Sequence, residues 1–379
     1  MSARTAPAEI SSDSQLAEAR DKRAVLASFL QANRLDAFVI SRHENVAWAT
    51  AGLVDLHVGL LREVGVASLV FTRDGHAYYV TTENEGPRLA DEEFSSLDFD
   101  PITQPWHAAN PAQAIRSLAP GPAIAADDPT LGFPVLSIKS LRLPLAPSEI
   151  ERYRWLGAHV AAAAADTLVT LRPGIAEPEM QARVARHLLA RHIQPSVFLT
   201  AVDDRIRRYR HAVPRAGVLQ RYGMLNFCAR RWGLCISITR FVHFGPMPNE
   251  LQQKFAAVAQ VNARLLQTSR PGATADALFH LAQHAYRSLG YPAEEQFHHQ
   301  GGATGYWERE WIARPGGTEA VLDHPQAMAW NPTIQGAKVE DTVLVTPSGV
   351  EVLTPTPSLP VVETILDGDS FPSAGVLIA

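Results

Sequence analysis

Apolar residues recur at helical spacing from about Leu16 to Asn33, after a polar lead-in over residues 1–15, and predict a first helix. Three short runs follow, rich in β-branched and aromatic residues: Asp36-Ala-Phe-Val-Ile40, Ala67-Ser-Leu-Val-Phe71 and His76-Ala-Tyr-Tyr-Val80. They read as strands, the last two joined by the turn Thr72-Arg-Asp-Gly75. A helix over Asn110 to Leu118 and a strand at Ile124-Ala-Ala complete a small α/β domain, residues 1–143. The segment Arg142-Leu-Pro-Leu-Ala-Pro-Ser-Glu149 reads as a linker, with Ser148 as the N-cap of the next helix.

The second domain, residues 144–379, carries a weak internal repeat. A helix over about Ser148 to Thr170 runs into Arg172-Pro-Gly174, a helix over Pro178 to His192, and strands from Val197. Ninety-eight residues later the same order returns, with a helix over Pro248 to Thr268, Arg270-Pro-Gly272, a helix over Thr274 to Leu289, and strands. Two halves of one α+β domain related by a pseudo-two-fold account for the order. The tripeptide alone does not, because a third copy stands at Arg314 to Gly316.

Composition narrows the class. The 379 residues, 46% hydrophobic and 19% charged, are those of an ordinary globular protein of two or three domains. A net charge of -5 supplies no basic field for nucleic acid or anionic lipid, and neither is expected as a partner. Cys228 and Cys235 do not make a disulfide framework or a zinc knuckle, so they read as buried thiols on the two strands of a hairpin. The first 22 residues lack an apolar signal core, and the most apolar stretch, Leu156 to Leu171, is interrupted by His159 and Asp166. A cytoplasmic protein without a membrane span is expected.

Chemistry-bearing residues gather in the strand-rich parts of the second domain: His211-Ala-Val-Pro214, Leu225-Asn226, Ser237-Ile-Thr239, His298-His-Gln-Gly-Gly302, Glu308-Arg-Glu310 and Trp330-Asn331, closing with Val339-Glu-Asp-Thr342. A neutral imidazole at His211 suits proton transfer between water and a leaving nitrogen. The Arg309 guanidinium offers a planar fork for a carboxylate, unless it pairs with Glu308 or Glu310 on the surface. Glu340 suits a cationic or N–H-rich group. His298 and His299 could by composition be a metal-ligand pair, but adjacent residues on a strand point to opposite faces, so at most one of them faces the pocket. The arginine-rich run Asp203 to His211 reads either as a solvated loop or as a mouth that draws in a small anion.

These motifs, in this order, resemble the pita-bread domain of the creatinase, prolidase and aminopeptidase P family, preceded by its small creatinase-like N-terminal domain. The resemblance covers essentially the whole chain, and Val339-Glu-Asp-Thr-Val-Leu-Val-Thr346 carries it most specifically. The metallopeptidases of that family hold two metal ions with two Asp, one His and two Glu. Those positions fall on Asn226, Ser237, Gly302, Asn331 and Glu340, so the resemblance implies a site that keeps one carboxylate of four and no dinuclear metal pair. Neither metal nor cofactor is therefore expected.

His211, His298, Arg309, Glu340 and Leu225-Asn226 look more like creatinase, which works without metal, although Thr239 stands where creatinase has a second glutamate. The expectation is a homodimeric, metal-independent hydrolase of a C–N bond in a small carboxylate-bearing amidino, cyclic-amidine or amide compound. In it His211 is the acid-base, Glu340 and Arg309 clamp the substrate, and His298, Asn226, Ser237, Thr239 and Asn331 line the pocket. The likeness also nominates Arg62, from a segment that reaches a partner's site in creatinase-like dimers. Two alternatives stand beside it: a pseudo-peptidase that binds without turnover, and an Xaa-Pro peptidase.

Overall fold

A computed structural model of the chain describes residues 10–323 and 325–379, which divide into two units meeting in sequence at Glu149 and Ile150. In the first, the helix Ser12–Ala32 precedes a five-stranded mixed sheet in the spatial order Asp100–Gln104, Ala77–Thr82, Val64–Thr72, Ala37–Arg42, Ile124–Ala126. The two outermost pairings are parallel and the inner ones antiparallel. Val39, Val70, Val80, Ile115 and Phe133 form one buried cluster, each aliphatic contributing about 1.5–3 kcal/mol by leaving water. Asn110 caps the helix Pro111–Leu118, its side chain accepting from the Gln113 N–H at 3.1 Å.

The expected cap at Ser148 is not found. The helix begins at Pro147, which tolerates the first helical position, and Glu149 reaches back to accept the Ala146 N–H at 2.6 Å. Ser148 sits two residues too late to cap, and its hydroxyl donates to Glu18 instead. Beside it the buried Lys22 ammonium bridges Glu18 (2.5 Å) and Glu149 (2.6 Å).

The second unit is built twice over. The helices Pro147–Leu168 and Glu177–Leu189 correspond to Asn249–Thr268 and Ala275–Ser288. Each Arg-Pro-Gly connector ends in a glycine with positive φ, Gly174 at 96° and Gly272 at 88°. Those glycines donate to the carbonyls of Leu219 (2.7 Å) and Leu322 (2.9 Å). The isolated bridges Ala176↔Val218 and Thr274↔Val321 repeat the relation. Equivalent residues thus make equivalent hydrogen bonds, as a duplicated domain requires.

Each half is built around a sheet, fully antiparallel in the second and joined in the first by the strand Val376–Ile378, which runs parallel to Leu234–His243. One is centred on the hairpin of Tyr222–Arg231 and Leu234–His243, whose two-residue turn, Trp232 and Gly233, has positive φ at both positions. That turn matches the twist of the strands and keeps the ladder in register for its whole length. The register sets Asn226 opposite Thr239 and Cys228 opposite Ser237, all four on one face. The second sheet runs in the order Trp311–Ile312, Gly301–Thr304, Gln326–Trp330, Asp341–Thr346, Gly349–Val352. The sheets join where Thr239 bridges Glu340, and where the Thr342 hydroxyl donates to the Ser237 carbonyl at 3.0 Å and accepts the Ser237 N–H at 2.9 Å. Arg240, 1% exposed, locks the seam with bonds to Asp341 Oδ1 (2.6 Å) and to the carbonyls of Thr354 (2.6 Å) and Glu340 (3.1 Å).

Candidate active site

Glu340 lies at the centre of that seam, 2% exposed. Its Oε2 accepts from the Thr239 hydroxyl at 2.6 Å and from the Asn226 amide, and stands 3.0 Å from the Lys338 ammonium. Its Oε1 accepts from Arg309 Nη2 at 3.2 Å and Asn331 Nδ2 at 3.5 Å. Burial alone raises a carboxyl's pKa, but here the Lys338 ammonium and the Arg309 guanidinium outweigh it and hold Glu340 at about 2. It is ionised under all ordinary conditions.

Arg309 is therefore not the surface-paired residue that was the alternative expectation. It pairs with neither neighbouring glutamate side chain, and its Nη1 donates to the Ser237 hydroxyl (3.0 Å) and the Glu308 carbonyl (2.7 Å) while Nη2 is on Glu340. Its Nε and the Asn331 Oδ1 are buried without a hydrogen-bond partner. Lys338 was not singled out from sequence. The signal was there in its spacing, since residues two apart in extended chain share a face and Lys338 stands two before Glu340.

The metal pair of the resembling peptidases does not fit these residues. Asn226, Ser237 and Asn331, which the resemblance sets at three ligand positions, are neutral, and two internal cations already neutralise Glu340. Gly302 is fixed by sterics as well as by identity. A Cβ there would lie 2.0 Å from the Trp311 carbonyl oxygen, so no ligand-bearing side chain is accommodated on this backbone.

Three histidines make the second group of the site. His211 leaves the loop after the short helix Asp204–Arg208, and its Nε2 lies 2.9 Å from His298 Nε2. His298 Nδ1 lies 2.5 Å from the His299 carbonyl, which assigns the proton to Nδ1 and the lone pair to Nε2. His211 then donates through Nε2–H and keeps a free lone pair on Nδ1. Burial depresses His298 to about 2 and His299 to about 4, and the side chain of His211, though exposed at its outer edge, is desolvated enough on its inner side to fall below its ordinary value as well.

The expectation that His298 and His299 face apart is corrected. The strand starts only at Gly301, so alternation does not govern these residues, and their rings stack at 4.6 Å. Of the arginine-rich run, Arg205 pairs with Glu177 (2.8 Å), and Arg210 bonds Glu294 and the Thr333 hydroxyl (3.3 Å). Cys228 and Cys235 are free thiols on the two hairpin strands; Cys235 is buried as expected, while Cys228 is only partly so. Arg62 belongs to the other unit, on an exposed turn closed by its N–H on the Gly59 carbonyl (3.0 Å).

A twice-built α+β domain with a polar site at the seam of its two sheets defines the pita-bread class. The sequence profile of metallopeptidase family M24 matches residues 153–347, and the chain belongs to that family. The fold is shared with an Xaa-Pro dipeptidase from Bacillus anthracis (TM-score 0.71, 18% identity, 95% of this chain and 100% of that one). An X-Pro aminopeptidase from Thermotoga maritima is similar (TM-score 0.72, 16% identity, 94% and 99%). Among curated relatives, an Xaa-Pro dipeptidase from Pyrococcus furiosus is 31% identical over 125 residues, 31% of this chain and 35% of that protein. The chain thus aligns with about a third of the length of the curated relatives it matches. No helix among the described residues is long and apolar enough to cross a membrane.

Proposed function

We propose that the protein is a metal-independent hydrolase of a C–N bond in a small carboxylate-bearing amidino, cyclic-amidine or amide compound. The observation that carries the reading is the ion cluster at the seam. Lys338 and Arg309 surround Glu340 and leave one net positive charge, fixed and largely dry, where the family's peptidases use metal charge. Such a charge attracts a substrate carboxylate and stabilises negative charge that develops during attack by water. The partnerless Arg309 Nε and Asn331 Oδ1 are a donor and an acceptor that a polar substrate would satisfy.

In the proposed reaction His211 takes a proton from water on Nδ1 as the oxygen bonds to the substrate carbon. It returns that proton to the nitrogen as the C–N bond breaks, so the nitrogen leaves as a neutral amine. His298 holds the imidazole orientation by accepting its Nε2–H. Glu340 holds Arg309 and Lys338 in place, so it acts as a positioning residue and the role of substrate clamp passes to the cations. A homodimer in which Arg62 reaches a neighbouring copy's site, and a cytoplasmic location, belong to the same proposal.

The test is turnover of guanidino acids, ectoine-like cyclic amidines and Xaa-Pro dipeptides by chelator-treated protein, read by mass spectrometry. Expected is hydrolysis of a carboxylate-bearing amidine or amide that survives chelator and falls 100- to 10,000-fold in His211→Ala. Hydrolysis confined to Xaa-Pro peptides and dependent on added manganese or cobalt overturns the reading. A binding protein without turnover is the second reading, favoured by the occupation of both Glu340 oxygens. It predicts ligands that raise the melting temperature without being consumed.

A further inference from the structure

We propose that His211, His298 and His299 form a mononuclear transition-metal site of three imidazoles, suited to Zn(II) or Co(II), whose occupation removes His211 from proton transfer. The site shares no ligand with the family's carboxylate-held pair, and it departs from the expectation that this chain holds no metal.

One ring nitrogen from each histidine lies within 4.8 Å of the others. Nitrogens around a tetrahedral zinc stand about 3.4 Å apart, so modest side-chain rotation brings three into ligation. The His211 and His298 Nε2 atoms already face each other at 2.9 Å. A metal between them replaces the shared proton, which moves to His211 Nδ1. His298 Nδ1 is held on the His299 carbonyl at 2.5 Å, the backbone anchorage that fixes the tautomer and aim of a metal-bound imidazole. His299 Nδ1 is buried without a hydrogen-bond partner, an orphan that ligation would satisfy. His211 is exposed, so a fourth position remains open to water.

An all-imidazole set selects zinc, cobalt, nickel and copper over manganese and magnesium. Lys338 and Arg309 repel a cation and Glu340 attracts one, a balance that makes the site weaker than a resident cofactor site and its metal exchangeable. Occupation blocks His211 in both of its ring positions, one by the metal and the other by the displaced proton. The inhibitory consequence rests on the hydrolase reading above; the binding of metal does not.

The experiment is titration of chelator-treated, tag-free full chain with Co(II), followed by visible absorption and calorimetry without substrate. Expected are one cobalt per chain, the intense bands of four-coordinate Co(II), displacement by Zn(II), and no comparable uptake of Mn(II). His298→Ala and His299→Ala are each expected to weaken binding at least tenfold, with His299→Gln as the second variant if truncation prevents folding. Absence of stoichiometric cobalt, the weak bands of six-coordinate ion, or binding unchanged by these substitutions overturns the site. If cobalt binds as stated and no substrate is turned over, the metal site stands and the hydrolase reading fails.

Discussion

Replacing Lys338 by Met tests whether internal cations hold the central carboxylate. The ammonium lies 3.0 Å from Glu340 Oε2, with side chains 7% and 3% exposed, so the attraction is little screened by water. Glu340 falls from an ordinary 4.5 to about 2 in the folded chain, the cations overcoming burial. That difference corresponds to about 3 kcal/mol of folding free energy at pH 7. Because the folded value is the lower one, the contribution is complete above about pH 4.5 and is lost as pH falls toward 2.

Removing one partner of a buried pair costs about 3–5 kcal/mol, because the other charge is left uncompensated. Lys338→Met should therefore lower the melting temperature at pH 7 by about 6–20 °C for a unit of this size. The gap to wild type should narrow between pH 5 and pH 3, since the variant no longer depends on an ionised Glu340. Lys338→Met/Glu340→Gln should melt closer to wild type than Lys338→Met alone. The assay is thermal unfolding by circular dichroism across that pH range. A shift of under 1 °C at pH 7, or parallel pH profiles, would refute the claim that Lys338 holds the carboxylate.

Gly302→His introduces the histidine that the resemblance sets at this position, but the backbone leaves no room for it. Its Cβ meets the Trp311 carbonyl, so urea titration should show a loss of about 3 kcal/mol or more and calorimetry no gain of manganese binding. Arg240→Met leaves Asp341 buried without its 2.6 Å partner and should cost about 3–5 kcal/mol, read the same way; a loss under 1 kcal/mol contradicts the lock assigned to the seam. Burial pushes the Cys228 thiol up to about 11. Iodoacetamide at pH 8 should therefore spare both cysteines until denaturant is added, and rapid native-state labelling contradicts that environment.

The sequence by itself determined the elements and their duplication. Periodicity placed the helix pairs, and the spacing of the two Arg-Pro-Gly connectors pointed to a duplication, which the matching Gly174 and Gly272 hydrogen bonds bear out. The hairpin face carrying Asn226, Cys228, Ser237 and Thr239 was also legible, because alternation in paired strands is a local rule. Only the tertiary structure decided what those side chains do to one another. Arg309 comes from a segment separated in sequence from Lys338 and Glu340, and a charge's effect depends on distance and burial that no local pattern carries. Likewise His298 and His299 share a site because the chain is still irregular there, a boundary of two residues that periodicity does not resolve. Gly302 shows the same division: its identity excluded a ligand from sequence alone, while the neighbouring backbone, 2.0 Å from any Cβ, explains why glycine is required.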